Sequence, residues 1–413
     1  MKKWNIIFCH VDQLTQTGVS AYGGENARTP GMDRLAADGI LFEDSFSSNP
    51  ICCPARSCWY TGRMSSEHGT LVNNQSIEDF PDLGQWMSAR GYQCFYAGKW
   101  HIARNVAKSF KLLHPQFALG EQHDSAVTRT AEAFLENYSD EEPFFLNLGM
   151  LNPHDCCYLN LAKDHLATKF GVERHFPEEI PPRMRSYDPS KPTGSKDWPA
   201  DWVDLYRYYY FRMTEMVDAE IGRIYDALQN SRFAENTVFI FSADHGEMMS
   251  AHNLFKKSRP YDEALKVPLI VVQPGLPGGR RDASHLISSV DVPATILDYA
   301  GIECMPDMSV AKSFRPAIEG KDVAWREYVP CEIFQGGPQI VLTDKRYKYY
   351  RHFKTGEMML FDRIADPDEL SNLADQPDLA GVLQRFETRQ QEYFETIIPS
   401  ARYREEMKKA RKA

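Results

Sequence analysis

Four short segments carry residue types that can do chemistry together: Asp12-Gln13, Lys99 with His101, His154, and Asp244-His245. Two carboxylates and an imidazole suit a divalent cation, and a mixed oxygen and nitrogen set suits Mn2+ about as well as Ca2+. Lys99, His101, His154, His252 and Lys257 all follow apolar segments, and gathered near one cation they would form a pocket for an anion. Positive groups of this kind stabilise the charge that develops on a transferring phosphoryl or sulfuryl group. Each residue also has a bland reading when taken alone. An Asp after a strand is usually a turn residue, His101 can cap a helix, and Lys257 can be a surface lysine.

A fifth segment, residues 51–63 (ICCPARSCWYTGR), sets three cysteines around a proline, with two arginines and a Thr-Gly. No C-x-x-C pair occurs among the nine cysteines, so the usual zinc and thioredoxin spacings are absent. Six residues after Cys52, Cys53 and Cys58 stand Cys58, Trp59 and Met64, so the cysteine-phosphatase loop, which needs an arginine there, is absent too. For most of these cysteines the bland reading is a buried thiol in a reducing compartment.

A run of alternating strands and helices must position these groups. Residues 5–11 (NIIFCHV) read as a buried strand ending at an acid. Thr29-Pro30 offers a helix start and Gly39 its end. Helices are expected over 80–90, 125–138, 202–229 and 292–299, and strands over 92–97, 144–149, 237–242 and 268–272. This alternation predicts an α/β fold with a large, mainly parallel sheet flanked by helices. Four of the strands run straight into the four polar segments. Ligands bind outside the carboxyl ends of strands in open α/β sheets, so the four can converge on one site. Residues 158–199 lack a clear period and read as a long excursion over that site. After about residue 324 the pattern changes to short antiparallel strands (339–343, 347–352, 358–361) and a helix over 379–396, a small C-terminal α+β subdomain. The expected division is 1–324 and 325–413, with the basic tail from Arg402 a solvated helix end or disordered.

The bulk numbers agree with a globular protein. The chain has 413 residues and a formal net charge of −10, with no long basic run, which argues against a nucleic-acid partner. Nothing is long and apolar enough to span a bilayer, and the N-terminal apolar run is short and broken by His10 and Asp12. The expectation is a cytoplasmic protein with no membrane partner.

Cys52-x-Pro54-x-Arg56, followed by Thr61-Gly62-Arg63, resembles the signature of type I sulfatases in the alkaline phosphatase superfamily. GKWH (98–101), NPH (152–154), SADHGE (242–247) and LFDRIADPDELSNLA (360–374) resemble further motifs of the family in the same order, so the resemblance covers nearly the whole chain. It implies that a maturation enzyme oxidises Cys52 to Cα-formylglycine. The hydrated aldehyde attacks sulfur, and its second hydroxyl later expels sulfate, which splits one hard displacement into two steps. It also implies metal ligands at Asp12, Asp244, His245 and residue 52. Gln13 stands where many members have a second Asp, and would bind by its amide oxygen or not at all. Arg56 would brace the hydrate and a metal carboxylate. Lys99 and Lys257 would contact sulfate, with Lys256 the adjacent competitor. His101 would hold or deprotonate the hydrate, His154 would contact sulfate or the leaving oxygen, and His252 is a further substrate-binding candidate.

The implied function is hydrolysis of a sulfate monoester of a sugar or other small alcohol. The rival enzyme is a phosphonate monoester or phosphodiester hydrolase using the same formylglycine, since an Asp-Gln…Asp-His set resembles that branch and choline sulfatases. A binding protein that lost catalysis would lack one of Cys52, Arg56, Lys99 or Asp244, and all four are present. Oligomeric state is left open.

Overall fold

The computed structural model describes residues 3–116, 118–158, 181–194 and 198–412. An eight-stranded sheet forms its centre. In chain order the strands are β1 (Asn5–Asp12), β2 (Ile40–Phe42), β4 (Gln93–Gly98), β5 (Lys111–Pro115), β6 (Phe144–Pro153), β7 (Thr237–Ala243), β8 (Leu269–Val272) and β9 (Arg280–Asp282). Their spatial order is β5-β4-β6-β1-β7-β8-β2-β9, and only β8 runs against its neighbours. A two-stranded pair joins β3 (Ser45–Phe46) to β10 (Ile287–Ser288).

The strands are short and apolar because helices cover both faces. Every residue of β1 is buried. Ile6 and Phe8 pack on one side with Trp59 and Tyr60 of α2 (Cys52–Thr61). Ile7, Cys9 and Val11 pack on the other with Met32 and Leu35 of α1 (Pro30–Asp38), Val127 of α5 (Gly120–Asn137) and Ile221 of α6 (Ala200–Gln229). Each such buried side chain contributes about 1.5–3 kcal/mol, so the sheet is a rigid base for whatever its strand ends carry. Two short helices complete this half, α3 (Ser65–His68) and α4 (Leu83–Ser88), the latter shorter than expected because the Asp82/Gln85 capping box starts it. α7 (Asp291–Ala300) follows β10.

The C-terminal part is an antiparallel sheet in chain order, β11 (Val329–Ile333), β12 (Gln339–Thr343), β13 (Tyr347–His352) and β14 (Met358–Asp362), followed by α8 (Ala380–Thr396) and α9 (Ala401–Ala410). The antiparallel sheet and terminal helix agree with the sequence reading, and β11 is an additional strand. The tail differs from it: α9 is ordered and docked. Tyr403 is buried in the apolar cluster of this sheet, and Arg402 donates to the carbonyls of Gly69 and Ser76. Most of the excursion over 158–199 lies outside the described residues.

Candidate active site

The four strands that end at the polar segments are neighbours, β4, β6, β1 and β7, and all run in one direction. Asp12 closes β1, Lys99 follows β4, His154 follows β6 and Asp244 follows β7. Gly98 makes the approach of β4 to β6 possible. Its φ is 104°, and a Cβ there would run into the carbonyl of Gly149.

The residue these strand ends surround comes from a helix start. Cys52 is the first residue of α2, and Pro54 is harmless there because first-turn N–H groups have no partner within the helix. A helix N-terminus also favours negative charge at that position. Arg56 lies one turn on and is fully buried. Its Nε meets Asp244 Oδ2 at 2.9 Å, its Nη2 meets Asp12 Oδ2 at 3.0 Å, and Nη1 donates to the Lys99 carbonyl at 2.8 Å. One guanidinium thereby fixes two strand-end carboxylates, a fork that a lysine could not supply.

Around the Cys52 sulfur stand Lys257 Nζ at 2.8 Å, His245 Nε2 at 3.2 Å and Asp12 Oδ1 at 3.8 Å. Lys99 Nζ meets Asp12 Oδ2 at 2.7 Å. His245 Nδ1 lies 2.9 Å from the Gly246 carbonyl, which can only accept, so Nδ1 carries a proton and the ring is held with Nε2 facing Cys52. Gln13 has positive φ, 69°. Its amide oxygen accepts from Lys257 Nζ at 2.7 Å, and its amide nitrogen donates to Glu247 Oε2 at 2.5 Å.

Charge follows this geometry. Burial and Asp12 push the Cys52 thiol up, but Lys257, His245 and Lys99 outweigh them and hold it well below the usual thiol range. Asp12 ends well below the usual carboxylate range because Lys99 foremost, with Arg56 and Lys257, overcomes its burial. Burial holds His154 neutral, down at about 3, and its Nδ1 has no hydrogen-bond partner among the described residues. The dense positive charge suits a site that handles anions.

Asp12, Gln13, Cys52, Arg56, Lys99, Asp244, His245 and Lys257 share one contact network, and His154 lies within its field. Lys257 is inside while Lys256 is exposed. His101 sits just beyond β4 with φ 52° and a buried Nδ1 that lacks a partner among the described residues. His252 stands apart: its ring stacks on Tyr261 at 3.8 Å between centroids, and its charged surroundings are Lys348, Asp366 and Asp368. Two participants were not singled out from sequence. His10 backs Arg56, with Nδ1 3.4 Å from Nη1, and Glu247 holds Gln13. The acid inside SADHGE was the available signal for the second.

The donor set fits a divalent ion. One carboxylate oxygen from each Asp, a His245 nitrogen and the Cys52 sulfur all lie within 4.8 Å of one another and are all buried. Two anionic oxygens and an oriented imidazole, with the sulfur standing where a nucleophilic oxygen would be, suit Ca2+ or Mn2+ better than a thiolate-selective metal.

A mainly parallel sheet that gathers these groups around one nucleophilic position defines a hydrolase of the alkaline phosphatase superfamily type. Comparison with known proteins names the branch. The family model described as Sulfatase matches residues 4–302, and the model described as N-sulphoglucosamine sulphohydrolase, C-terminal, matches residues 250–395. The chain belongs to the sulfatase family, in its formylglycine-dependent type I group. A Delta 4,5-hexuronate-2-O-sulfatase of Bacteroides thetaiotaomicron is 28% identical over 92% of this chain and 87% of its own. The solved structure of a 2-O GAG sulfatase superposes with a TM-score of 0.83 at 24% identity, covering 97% of this chain and 95% of the other. A phosphonate monoester hydrolase of Agrobacterium radiobacter gives 0.80 at 21% identity, over 94% and 95%. At these identities the two solved structures speak for the fold alone.

Proposed function

We propose that this chain hydrolyses sulfate monoesters of sugars or other small organic alcohols, with residue 52 as nucleophile in its formylglycine form. The observation that carries this is the ring around the Cys52 sulfur: Lys257, His245 and Asp12 within 2.8–3.8 Å at a helix N-terminus. Formylglycine would supply a hydroxyl at that sulfur's position, and a Ca2+ or Mn2+ ion beside it would supply positive charge to that oxygen. Asp12, Asp244, His245 and residue 52 would hold the ion, with Gln13 adding its amide oxygen. Arg56 holds both carboxylates in register. Lys257 and Lys99, reaching in from two different segments, bind the sulfate oxygens and stabilise charge as the ester bond breaks. His154 is neutral, so the ring nitrogen that carries its proton can donate to the leaving oxygen without adding charge. His101, just beyond β4, is assigned to the nucleophilic hydroxyl, and His252, stacked on Tyr261 apart from the Cys52 ring, is assigned no contact with the sulfate.

Residues 52–63 are all buried, so the maturation enzyme must meet this segment before the chain closes over it. The same reading takes 1–324 as the catalytic domain and 325–413 as the C-terminal subdomain. It places the protein in the cytoplasm, supported by nine cysteines that all stand as free thiols. Among the described residues no helix is long and apolar enough to cross a membrane. The sulfatase relative supports a sugar on the alcohol side.

Hydrolysis of phosphonate monoesters is the second reading, favoured by the Asp12-Gln13…Asp244-His245 set. A phosphonate carries an organic substituent where sulfate has a third free oxygen, and two lysines closing on that position favour sulfate. The test is kcat/KM for a sulfate and a phosphonate ester of one leaving group: sulfate is expected to be better, and a clear phosphonate preference overturns the proposal. Lys99→Ala should cost about 2–4 kcal/mol of transition-state stabilisation on the preferred ester. Asp244→Ala should lose both bound metal and rate, read by elemental analysis and turnover; stoichiometric metal with full activity in that variant sinks the site.

A further inference from the structure

A cavity of about 400 Å³ opens beside the Cys52 cluster, with Ile51 and Lys257 in its lining. Its charge is one-sided. Lys256, Lys257 and Arg259 line it, and no described carboxylate does, on a chain with 57 acidic and 47 basic residues. Lys257 points to the sulfur, whereas Lys256 and Arg259 are exposed and have no ion-pair partner among the described residues. A cation-lined concavity focuses field and attracts anions.

The backbone that produces this arrangement is unusual. Six of the ten residues 249–258 have positive φ, and none of the ten is glycine. Lys256 (69°) and Ser258 (68°) flank Lys257, which splits the two adjacent lysines between the reacting centre and the cavity. Glu247 secures the split by accepting from the Lys256 N–H at 2.5 Å. Strain of this kind persists where the surrounding structure enforces it, and it collects at functional sites. On the apolar side Trp198 and Phe255 stand with ring centroids 4.4 Å apart and offer a face to a ring.

We propose that this cavity receives the alcohol half of the ester, and that it selects alcohols carrying a second anionic group, a carboxylate or a further sulfate, bound by Lys256 and Arg259 while the ring lies on Trp198 and Phe255. This rests on the sulfate-ester reading above. A quaternary ammonium alcohol is disfavoured, because Lys256 and Arg259 would repel it.

The test uses matured enzyme and four aryl sulfates on one scaffold: phenyl sulfate, 3-carboxyphenyl sulfate, the bis-sulfate of resorcinol, and 3-(trimethylammonio)phenyl sulfate. The anionic members should exceed phenyl sulfate in kcat/KM by about tenfold, roughly one partly shielded ion pair, and the cationic ester should be poorest although its leaving group is the most activated. The carboxylate and bis-sulfate arms show which anion is preferred. In Lys256→Ala/Arg259→Ala the anionic-to-neutral ratio should fall toward one, and raised salt should lower it in wild type. Equal or better use of the neutral or cationic ester, or a ratio untouched by the double substitution, overturns the proposal. Titration of Cys52→Ala with the same four esters reads the order of Kd without turnover. If matured enzyme hydrolyses none of them, the sulfatase reading fails, while the Kd order still decides the selectivity of the cavity.

Discussion

Cys52 and Cys53 are adjacent, yet only one belongs to the reacting centre. On a helix successive side chains point about 100° apart, and α2 turns Cys52 to Lys257 and His245 while Cys53 faces away. The Cys53 N–H donates to Asn73 Oδ1 at 3.0 Å, and burial pushes its thiol up rather than down. Cys52→Ala should therefore abolish turnover, whereas Cys53→Ala should keep activity within about tenfold of wild type. Intact mass after co-expression with a maturation enzyme should show a loss of about 18 Da at residue 52 alone, by the stoichiometry of thiol-to-aldehyde oxidation. Equal, near-total loss in both variants would reject the assignment. This distinction was legible in sequence through the resemblance to the family's C-x-P-x-R signature, whose register on Pro54 and Arg56 falls on Cys52. Lys257 against Lys256 was not. Both are lysines after the same apolar segment, and only backbone angles of 69° and 68° on either side decide which one turns inward.

Those angles belong to a loop whose conformation costs roughly 1–3 kcal/mol at each strained residue. Glu247 is what opposes that cost. Its Oε1 accepts from Lys256 N–H at 2.5 Å and Met249 N–H at 3.3 Å, and its Oε2 accepts from Gln13. One buried carboxylate thus ties the loop carrying Lys257 to the end of β1. Glu247→Ala should lower kcat by at least about tenfold and speed hydrogen exchange over 249–258, with the strands of the large sheet unchanged. Glu247→Gln can still accept from the loop and should recover part of both. Unchanged exchange over the loop would show that Glu247 is not its clamp. The strands on either side were readable because they are apolar on both faces, a consequence of helices covering the sheet twice. α2 was not read as a helix, since every face of it is buried and its residues show no apolar stripe. α9 was read as a solvated end, because Tyr403 is a lone anchor in a charged segment.

At the scale of the molecule, the C-terminal sheet holds the elements that follow α2. Glu332 on β11 accepts from the Ser66 N–H at 2.7 Å and from the Tyr393 hydroxyl at 2.8 Å, and Ser400 N–H donates to the Ser66 carbonyl at 2.8 Å. Three C-terminal segments thus meet at one turn of α3. Burial pushes the Glu332 carboxyl up from 4.5 to about 7, against the bonds from Ser66 and Tyr393 and with a further push from Glu67. The folded state then holds the proton more tightly than the unfolded chain. The stability this contributes is fully present below about pH 4.5 and is lost as pH rises through about 7, at most about 3 kcal/mol in total. Glu332→Gln removes the titration while keeping an oxygen acceptor. Thermal melts of wild type and variant from pH 5 to pH 8 should converge or cross: wild type the more stable at pH 5, the variant equal or better at pH 8. Parallel curves over that range would show that the carboxyl does not titrate there, and that the contact between the C-terminal sheet and α3 carries no proton-linked stability.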